Sequence, residues 1–178
     1  MNEKKLDSVI LGLLSHEELT GYEIKKRMDG ALSYFWGASY GAIYPTLAQL
    51  EKEGLAVKHS EDDTRTKMRY SITDKGREHL KEWLSIPVQK DEIRYETLLK
   101  LFFGNAGDAS QAKEHIARFR EKTEQSLNEL RAAERTLSEH LGEDDAHRYY
   151  LLTVRFGIRS YEAYLEWCDE AEAMIGGI

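Results

Sequence analysis

The sequence is poor in cysteine, in long apolar runs and in the short motifs of common enzymes. One cysteine, Cys168, stands among 178 residues, so no internal disulfide can form, and a reducing cytoplasm is the expected compartment. No apolar run approaches the roughly 18 residues of a membrane span, and the first ten residues lack the apolar core of a signal peptide. Phosphate-binding loops and nucleophile elbows are also missing. These absences predict a cytoplasmic protein that is not an enzyme.

The formal net charge of −7 is unevenly distributed along the chain. Residues 1–81 contain 13 basic and 13 acidic side chains, whereas residues 82–178 contain 12 basic and 19 acidic ones, so the whole excess lies in the second part. A neutral first part can still present a local basic face. The overall acidity therefore does not exclude DNA binding.

Apolar residues at helical spacing predict three short helices within the first 54 residues. Thr20 and Glu23 have the spacing of a capping box at the start of the second helix, which should end near Gly30. Gly54 is a natural end for the third helix. The inward-facing residues are Leu6, Val9, Ile10, Leu13 and Leu14 in the first helix, Ile24 and Met28 in the second, and Ile43, Leu47 and Leu50 in the third. Three short helices with tight links indicate a helix-turn-helix.

A β-hairpin and a fourth helix are predicted next. Residues 68–72 alternate between apolar and polar side chains, as in a half-buried strand, and residues 55–60 can pair with them across a tip at 61–66. Thr73 can cap a following helix, with an inner side made of Leu80, Trp83 and Leu84. This order of elements is that of a winged helix, and we place the DNA-binding domain at residues 1–86.

Residues 87–178 are predicted to be nearly all helical. A short apolar helix carries Tyr95, Leu98, Leu99, Phe102 and Phe103. Asp108 and Gln111 can cap a long helix, and a last helix spans roughly residues 145–175. The two long helices could form a hairpin within one chain, but one apolar stripe would then stay exposed to water. This exposed stripe favours a homodimer. The predicted fold is mainly α with a small β-hairpin: an N-terminal winged helix-turn-helix followed by a C-terminal helical dimerisation domain, residues 87–178.

The outward face of the third helix is the candidate DNA-reading surface, because the second helix of a helix-turn-helix motif enters the major groove. Gln49 can pair with an adenine edge, Lys52 can reach a phosphate, and the hydroxyl of Tyr40 or Tyr44 can do the same. Pro45 requires either a helix start near Gly41 or a kinked first turn. The outward residues are Gly41, Ala42, Pro45, Ala48, Gln49 and Lys52. An ordinary solvated face is the competing interpretation.

The predicted hairpin offers a second contact with DNA. Arg65, Lys67 and Arg69 lie on or near the polar face of one strand, where they could grip phosphate or the minor groove. Three acidic residues at 61–63 would repel phosphate unless they point away.

Two further groups of residues allow other functions. His140, Asp144 and His147 are close in sequence and could bind a metal ion in an enzyme, but Gly142 interrupts the helical face that they would share, and a solvated loop is the simpler interpretation. Several aromatic residues could line a pocket for a flat ligand or form ordinary core. These are Phe35, Trp36, Trp83, Tyr149, Tyr150, Phe156, Tyr161, Tyr164 and Trp167.

Four segments together resemble the PadR-like transcriptional regulators: LGLLSHEELTGYEIKKRM, YFWGASYGAIYPTLAQLEKEGL, KMRYSITDKGREHLKEWL and RYETLLKLFFG. The resemblance covers the whole chain, and its C-terminal part is similar to the branch that includes phenolic-acid repressors and the virulence activator AphA. It implies a homodimer that binds a palindromic operator in double-stranded DNA, with repression as the commoner outcome. Some members of the family release DNA when a phenolic acid or another planar compound binds, whereas AphA-like members act without a clear small ligand.

The resemblance also implies a set of DNA-binding residues. The recognition segment corresponds to Ser39, Tyr40, Gly41, Tyr44, Pro45, Thr46 and Gln49, and the wing corresponds to Thr64–Arg69. The hairpin tip departs from the family, because Asp62-Asp63-Thr64 stands where glycine is common. We therefore expect a DNA-binding regulator without a cofactor. The alternatives are a module that uses its winged helix on a partner protein, which would show no salt-dependent affinity for DNA, and the metal-dependent enzyme considered above.

Overall fold

The computed structural model describes residues 3–36, 40–60, 68–88, 91 and 94–176. It divides the chain into two compact units, Met1–Asp91 and Glu92–Ile178. The sequence analysis placed the domain boundary a few residues earlier, between residues 86 and 87. Among the described residues, no helix is long and apolar enough to cross a membrane.

The described residues of the first unit form four α-helices and a small sheet. The helices are α1 (Glu3–Leu14), α2 (Gly21–Asp29), α3 (Ile43–Lys52) and α4 (Asp74–Ser85), and the strands are β1 (Leu19–Thr20), β2 (Ala56–Ser60) and β3 (Met68–Ile72). Short 3₁₀ turns at Ala31–Tyr34 and Tyr40–Ala42 lie between α2 and α3. The chain order and the pairing of β2 with β3 confirm the predicted winged-helix fold.

Local signals in the sequence set the ends of these helices. The Thr20 hydroxyl accepts from the Glu23 N–H at 3.1 Å, and the Thr20 N–H donates to the Glu23 carboxylate at 2.8 Å, so the predicted capping box is present. The Thr73 hydroxyl accepts from the Gly76 N–H at the start of α4. Gly54 follows α3 with a φ of 70°, which a side chain would disfavour.

The sheet has one strand more than the predicted hairpin. Its order is β1-β3-β2, with both pairs antiparallel, and Thr20 of β1 lies opposite Arg69 of β3. The Arg69 guanidinium donates to the Glu18 carbonyl at 2.8 Å, which holds the turn before β1 against the sheet. Strand β1 has only two residues, which are too few to show a hydrophobic period. It could therefore not be predicted from the sequence and is defined by its pairing with β3.

The core of the first unit lies where α1, α2 and α3 meet the sheet. Fully buried residues on these elements include Ile10, Leu11, Leu19, Ile24, Leu47 and Leu50. In α4, Leu80 packs against the core as predicted. Trp83 and Leu84 do not, and the expectation that they face inward was wrong, because their side chains are exposed.

The second unit consists of α5 (Glu96–Phe102), a 3₁₀ turn at Gly104–Ala106 and two 31-residue helices, α6 (Ala109–Glu139) and α7 (Ala146–Gly176). Asp108 and Gln111 form the predicted capping box of α6. The long helices are antiparallel, since Arg120 of α6 pairs with Glu172 near the end of α7, and Glu134 pairs with Arg155 near its start. The hairpin within one chain, which the sequence analysis considered beside pairing with another chain, is therefore present.

Candidate nucleic-acid interface and ligand cavity

The outward face of α3 is the candidate nucleic-acid interface of the first unit. Ile43, Leu47 and Leu50 are buried and hold the helix against the core, as predicted. Gly41, Tyr44, Pro45, Ala48, Gln49 and Lys52 are exposed, Thr46 is half-buried, and Ala42 is half-buried at the start of the helix. The 3₁₀ turn at Tyr40–Ala42 runs directly into the helix, so Pro45 lies in the first turn, where its missing N–H costs no hydrogen bond.

Tyr44 is the largest side chain on this face and is 64% exposed. Its ring lies against the backbone of Gly21, the first residue of α2, and a Cβ added at Gly21 would be 2.6 Å from Cε1 of Tyr44. Burial raises the pKa of Tyr70 in β3, with Glu51 and Tyr44 adding to the shift. The phenol of Tyr44 therefore lies beside α2 while it remains accessible to a ligand.

Gln49 and Lys52 are the polar side chains of α3 that could contact DNA. The Gln49 side-chain amide donates one of its two N–H groups to the carboxylate of Glu53 one turn later. Lys52 is exposed in the last turn of the helix. Gln49 and Lys52 thus offer a hydrogen-bonding amide and a cation on the same face as Tyr44.

The predicted wing is described only in part. Arg69 is half-buried, and its guanidinium bonds to the Glu18 carbonyl and lies 3.7 Å from the Glu23 carboxylate. In this structure it braces the turn before α2. Ser39, Arg65 and Lys67 lie outside the described residues, as does the side chain of Tyr40.

An open cavity of about 480 Å³ lies in the second unit, between α5, α6 and α7. Its apolar walls are the aromatic rings of Tyr95, Phe119, Tyr161 and Tyr164. Among the described residues, its charged lining is mainly basic, with Arg94, Lys100, Arg118 and Lys122 against Glu96, and His115 lies beside them. Lys100 is paired with Glu96, and Arg118 is paired with Glu114. The unit as a whole is acidic, so this lining is a local concentration of basic side chains.

The Tyr95 and Tyr164 hydroxyls are hydrogen-bonded at 2.5 Å across one wall of the cavity. Burial and this hydrogen bond raise the pKa of Tyr95, so its phenol is neutral at physiological pH. Phe119 contacts both rings and also meets Trp167 edge-on. Of the aromatic residues predicted to line a pocket, Tyr161 and Tyr164 do so. Phe35, Tyr149 and Phe156 are exposed instead.

The sequence analysis did not assign Gly21, Tyr95 or Phe119 to a site. Gly21 carried a signal, because glycine is a poor first residue for a helix that already has a capping box. Tyr95 and Phe119 were expected as apolar helix residues, and helical spacing does not distinguish a cavity wall from solid core.

The cluster of His140, Asp144 and His147 does not form a metal site within the described part of the chain. The Nδ1 atom of His140 is 2.8 Å from the Thr136 carbonyl, and the Nδ1 atom of His147 is 2.7 Å from the His140 carbonyl. The Thr136 carbonyl and nearby Glu143 raise the pKa of His140. These imidazoles cap the end of α6 and the loop that follows it.

Two family models match successive parts of the chain. Residues 10–82 match the transcriptional regulator PadR-like family, and residues 93–175 match the virulence activator alpha C-terminal family. The Bacillus subtilis negative transcriptional regulator PadR is 28% identical over 96% of this chain and 97% of its own length.

Solved structures show the same relationship over almost the full length. A PadR-like transcriptional regulator from Bacillus cereus is 33% identical, with a TM-score of 0.80 over 96% of this chain and 98% of that one. B. subtilis PadR in complex with operator DNA superposes over the same shares with a TM-score of 0.78 and 27% identity. The same protein in complex with p-coumaric acid has a TM-score of 0.69 and 28% identity over the same shares. The Vibrio cholerae virulence activator AphA is 28% identical, with a TM-score of 0.74 over 97% of this chain and 98% of that one.

Proposed function

The chain belongs to the PadR-like family of DNA-binding transcriptional regulators, which are not enzymes, and from this membership we propose its specific action. It acts as a homodimeric repressor that binds a palindromic operator through α3 and the wing. A small aromatic effector releases it from that operator. The observation that carries the proposal is the exposed face of α3, where Tyr44, Gln49 and Lys52 stand on a helix whose opposite side is buried.

The chemistry of this face suits the major groove. Glycine and alanine at the start of the segment allow a close approach to DNA, the Tyr44 hydroxyl can donate to a phosphate, and the Gln49 amide can pair with adenine. Lys52 supplies a charge that neutralises a phosphate. The face carries no arginine for guanine, so part of the sequence preference comes from DNA shape.

The apolar surface of α7 supports a homodimer. Tyr149, Leu152 and Phe156 follow one another along the helix, and Phe156 is 71% exposed in the single chain. Covering this stripe with a second copy removes it from water. The dimer would hold two copies of α3 about 34 Å apart, in successive major grooves of a palindrome. Sedimentation of the wild type should show a dimer and Phe156→Glu should show a monomer, whereas a wild-type monomer would contradict the proposal.

The cavity in the second unit supports an aromatic effector. Four aromatic rings can stack on a flat ligand, while four Lys and Arg side chains can attract an acid group. B. subtilis PadR forms a complex with p-coumaric acid, a flat carboxylic acid. An effector lowers DNA affinity only if it binds the free and DNA-bound states unequally, so the same ligand must bind more weakly when operator is present.

The Tyr44→Ala variant tests the role of α3. It removes one neutral phosphate contact from each subunit, so we expect operator affinity to fall by about tenfold or more with the dimer intact. Fluorescence anisotropy gives the affinity, and sedimentation gives the oligomeric state. An unchanged affinity would refute the role assigned to this face.

A charge substitution in the cavity tests the effector. Lys122→Gln should raise the concentration of p-coumaric acid needed to release DNA, because one cation of the cavity is lost, while DNA affinity without ligand stays unchanged. Lys113→Gln is the matched control, since Lys113 is an exposed cation of the same helix outside the cavity lining. Equal responses of both variants, or no release from the wild type by p-coumaric acid, would contradict this part of the proposal.

A further inference from the structure

We infer that Gly21 is a positioning residue for DNA recognition: because it has no side chain, the Tyr44 ring can pack directly against the backbone of α2. The inference rests on the proposed contact between Tyr44 and DNA, and it adds a residue that does not itself touch DNA.

The contact between the two residues leaves no room for a side chain. A Cβ at Gly21 would be 2.6 Å from Cε1, 2.9 Å from Cζ and 3.1 Å from the hydroxyl oxygen of Tyr44. Carbon atoms in contact lie about 3.5–4.0 Å apart, so the tyrosine ring must move if residue 21 gains a methyl group. The atoms in the way belong to the outer end of an exposed side chain. An alanine therefore displaces the ring without displacing the backbone.

The backbone around Gly21 is held by several hydrogen bonds. Gly21 is buried and directly follows Thr20, which is fixed by the capping box with Glu23 and by strand pairing with β3. Arg69 adds a hydrogen bond to the Glu18 carbonyl just before this turn. The ring of Tyr44 thus packs against a backbone segment that these hydrogen bonds hold in place.

The backbone gives no other reason for glycine at this position. Gly21 has a helical neighbourhood and no positive φ, since Gly54 alone has one among the described residues. Alanine is the better helix former and lacks the backbone freedom that glycine loses on folding. The glycine therefore serves the close approach of Tyr44 and is otherwise unfavourable to α2.

The test compares four full-length variants for operator affinity and thermal stability. Gly21→Ala should lose about as much operator affinity as Tyr44→Ala, about tenfold, while its thermal midpoint does not fall below that of the wild type. In the Tyr44→Ala background, adding Gly21→Ala should change affinity by less than about twofold, because the ring that it displaces is already gone. Gly12→Ala is the control, since a Cβ there meets nothing within 4 Å.

A direct readout follows the ring itself. With ¹³C-labelled tyrosine, the ring resonances of Tyr44 should shift in Gly21→Ala and stay in place in Gly12→Ala. This measurement needs no DNA.

Each outcome bears on a distinct claim. If Tyr44→Ala loses affinity but Gly21→Ala retains it, the positioning role is overturned and the proposed DNA contact stands. If Tyr44→Ala retains affinity, the contact itself fails. An additive loss in the double variant, or failure of Gly21→Ala to fold, also overturns the inference, because glycine would then act through something other than Tyr44.

Discussion

Gly76 lies directly beneath the carbonyl oxygen of Leu55, so that a Cβ at position 76 would be 2.1 Å from this oxygen. The same oxygen accepts from the Thr73 N–H at 3.1 Å, which fixes the start of α4 against the residue before β2. A Cβ added at Gly21 would meet the movable ring of Tyr44, whereas a Cβ added at Gly76 would meet backbone atoms of Leu55.

Alanine should have opposite effects on stability at Gly76 and at Gly12, where an added Cβ would have no atom within 4 Å. Gly76→Ala must push backbone apart, so we expect the free energy of unfolding to fall by about 1–3 kcal/mol. Gly12→Ala fills open space on α1 and should be neutral or stabilising by roughly 0.5–1 kcal/mol. Urea denaturation of both variants measures these changes, and an unchanged midpoint for Gly76→Ala would show that the contact with Leu55 is absent.

The N-cap of α6 should make the second unit sensitive to acid. The Asp108 carboxylate accepts from the Ser110 N–H at 2.8 Å, which holds the pKa of Asp108 below its usual 3.8. A lowered pKa in the folded state means that the stabilisation is fully present above the unfolded pKa and is lost as the pH falls through the folded pKa. Asp108→Asn keeps an acceptor but no charge, so its thermal midpoint should lie below the wild type at pH 7.

The difference between the two midpoints should then shrink below about pH 4, as the wild-type carboxyl gains its proton. Thermal melts from pH 3 to pH 7 follow this trend. A difference that stays constant over the whole range would mean that the charge of Asp108 does not stabilise α6.

Cys168 should be unreactive in the folded protein. Its side chain is fully buried on α7, and burial raises the pKa of the thiol, so very little thiolate is present at neutral pH. We expect an aromatic disulfide reagent to react at least about 100-fold more slowly with the native protein than with the protein in urea. Ser138→Cys combined with Cys168→Ala places a thiol at an exposed position of α6 and should react rapidly without urea. Equal rates for the two proteins would contradict the burial of Cys168.

The helices were predictable because their signals are local. The capping boxes of Thr20 with Glu23 and of Asp108 with Gln111 each lie within four residues, and the buried positions of α3 follow directly from their spacing. Contacts between distant residues could not be predicted in this way. Strand β1 exists through its pairing with β3, and the contact of the Tyr44 ring with Gly21 joins α3 to α2.

Exposure was harder to predict than helicity. Trp83 and Leu84 have the spacing of an inner face, yet α4 buries only the side that carries Leu80. The cavity depends on where α5 packs against α6, so that Tyr95 meets Tyr164 across 69 positions of sequence. Spacing along one helix contains no information about such a meeting.

The central claim is that this chain recognises DNA through its winged helix, and salt-dependent binding tests it most directly. The full-length protein is titrated onto the DNA upstream of its own gene and onto unrelated DNA at a series of salt concentrations. The account predicts a saturable complex of one dimer per site whose affinity falls steeply with salt, with a slope of about 0.9 for each neutralised phosphate. Lys52→Gln should reduce that slope, whereas Tyr44→Ala should weaken binding without changing it. A protein that binds neither DNA even at low salt would contradict the account and favour recognition of a partner protein by the same surface.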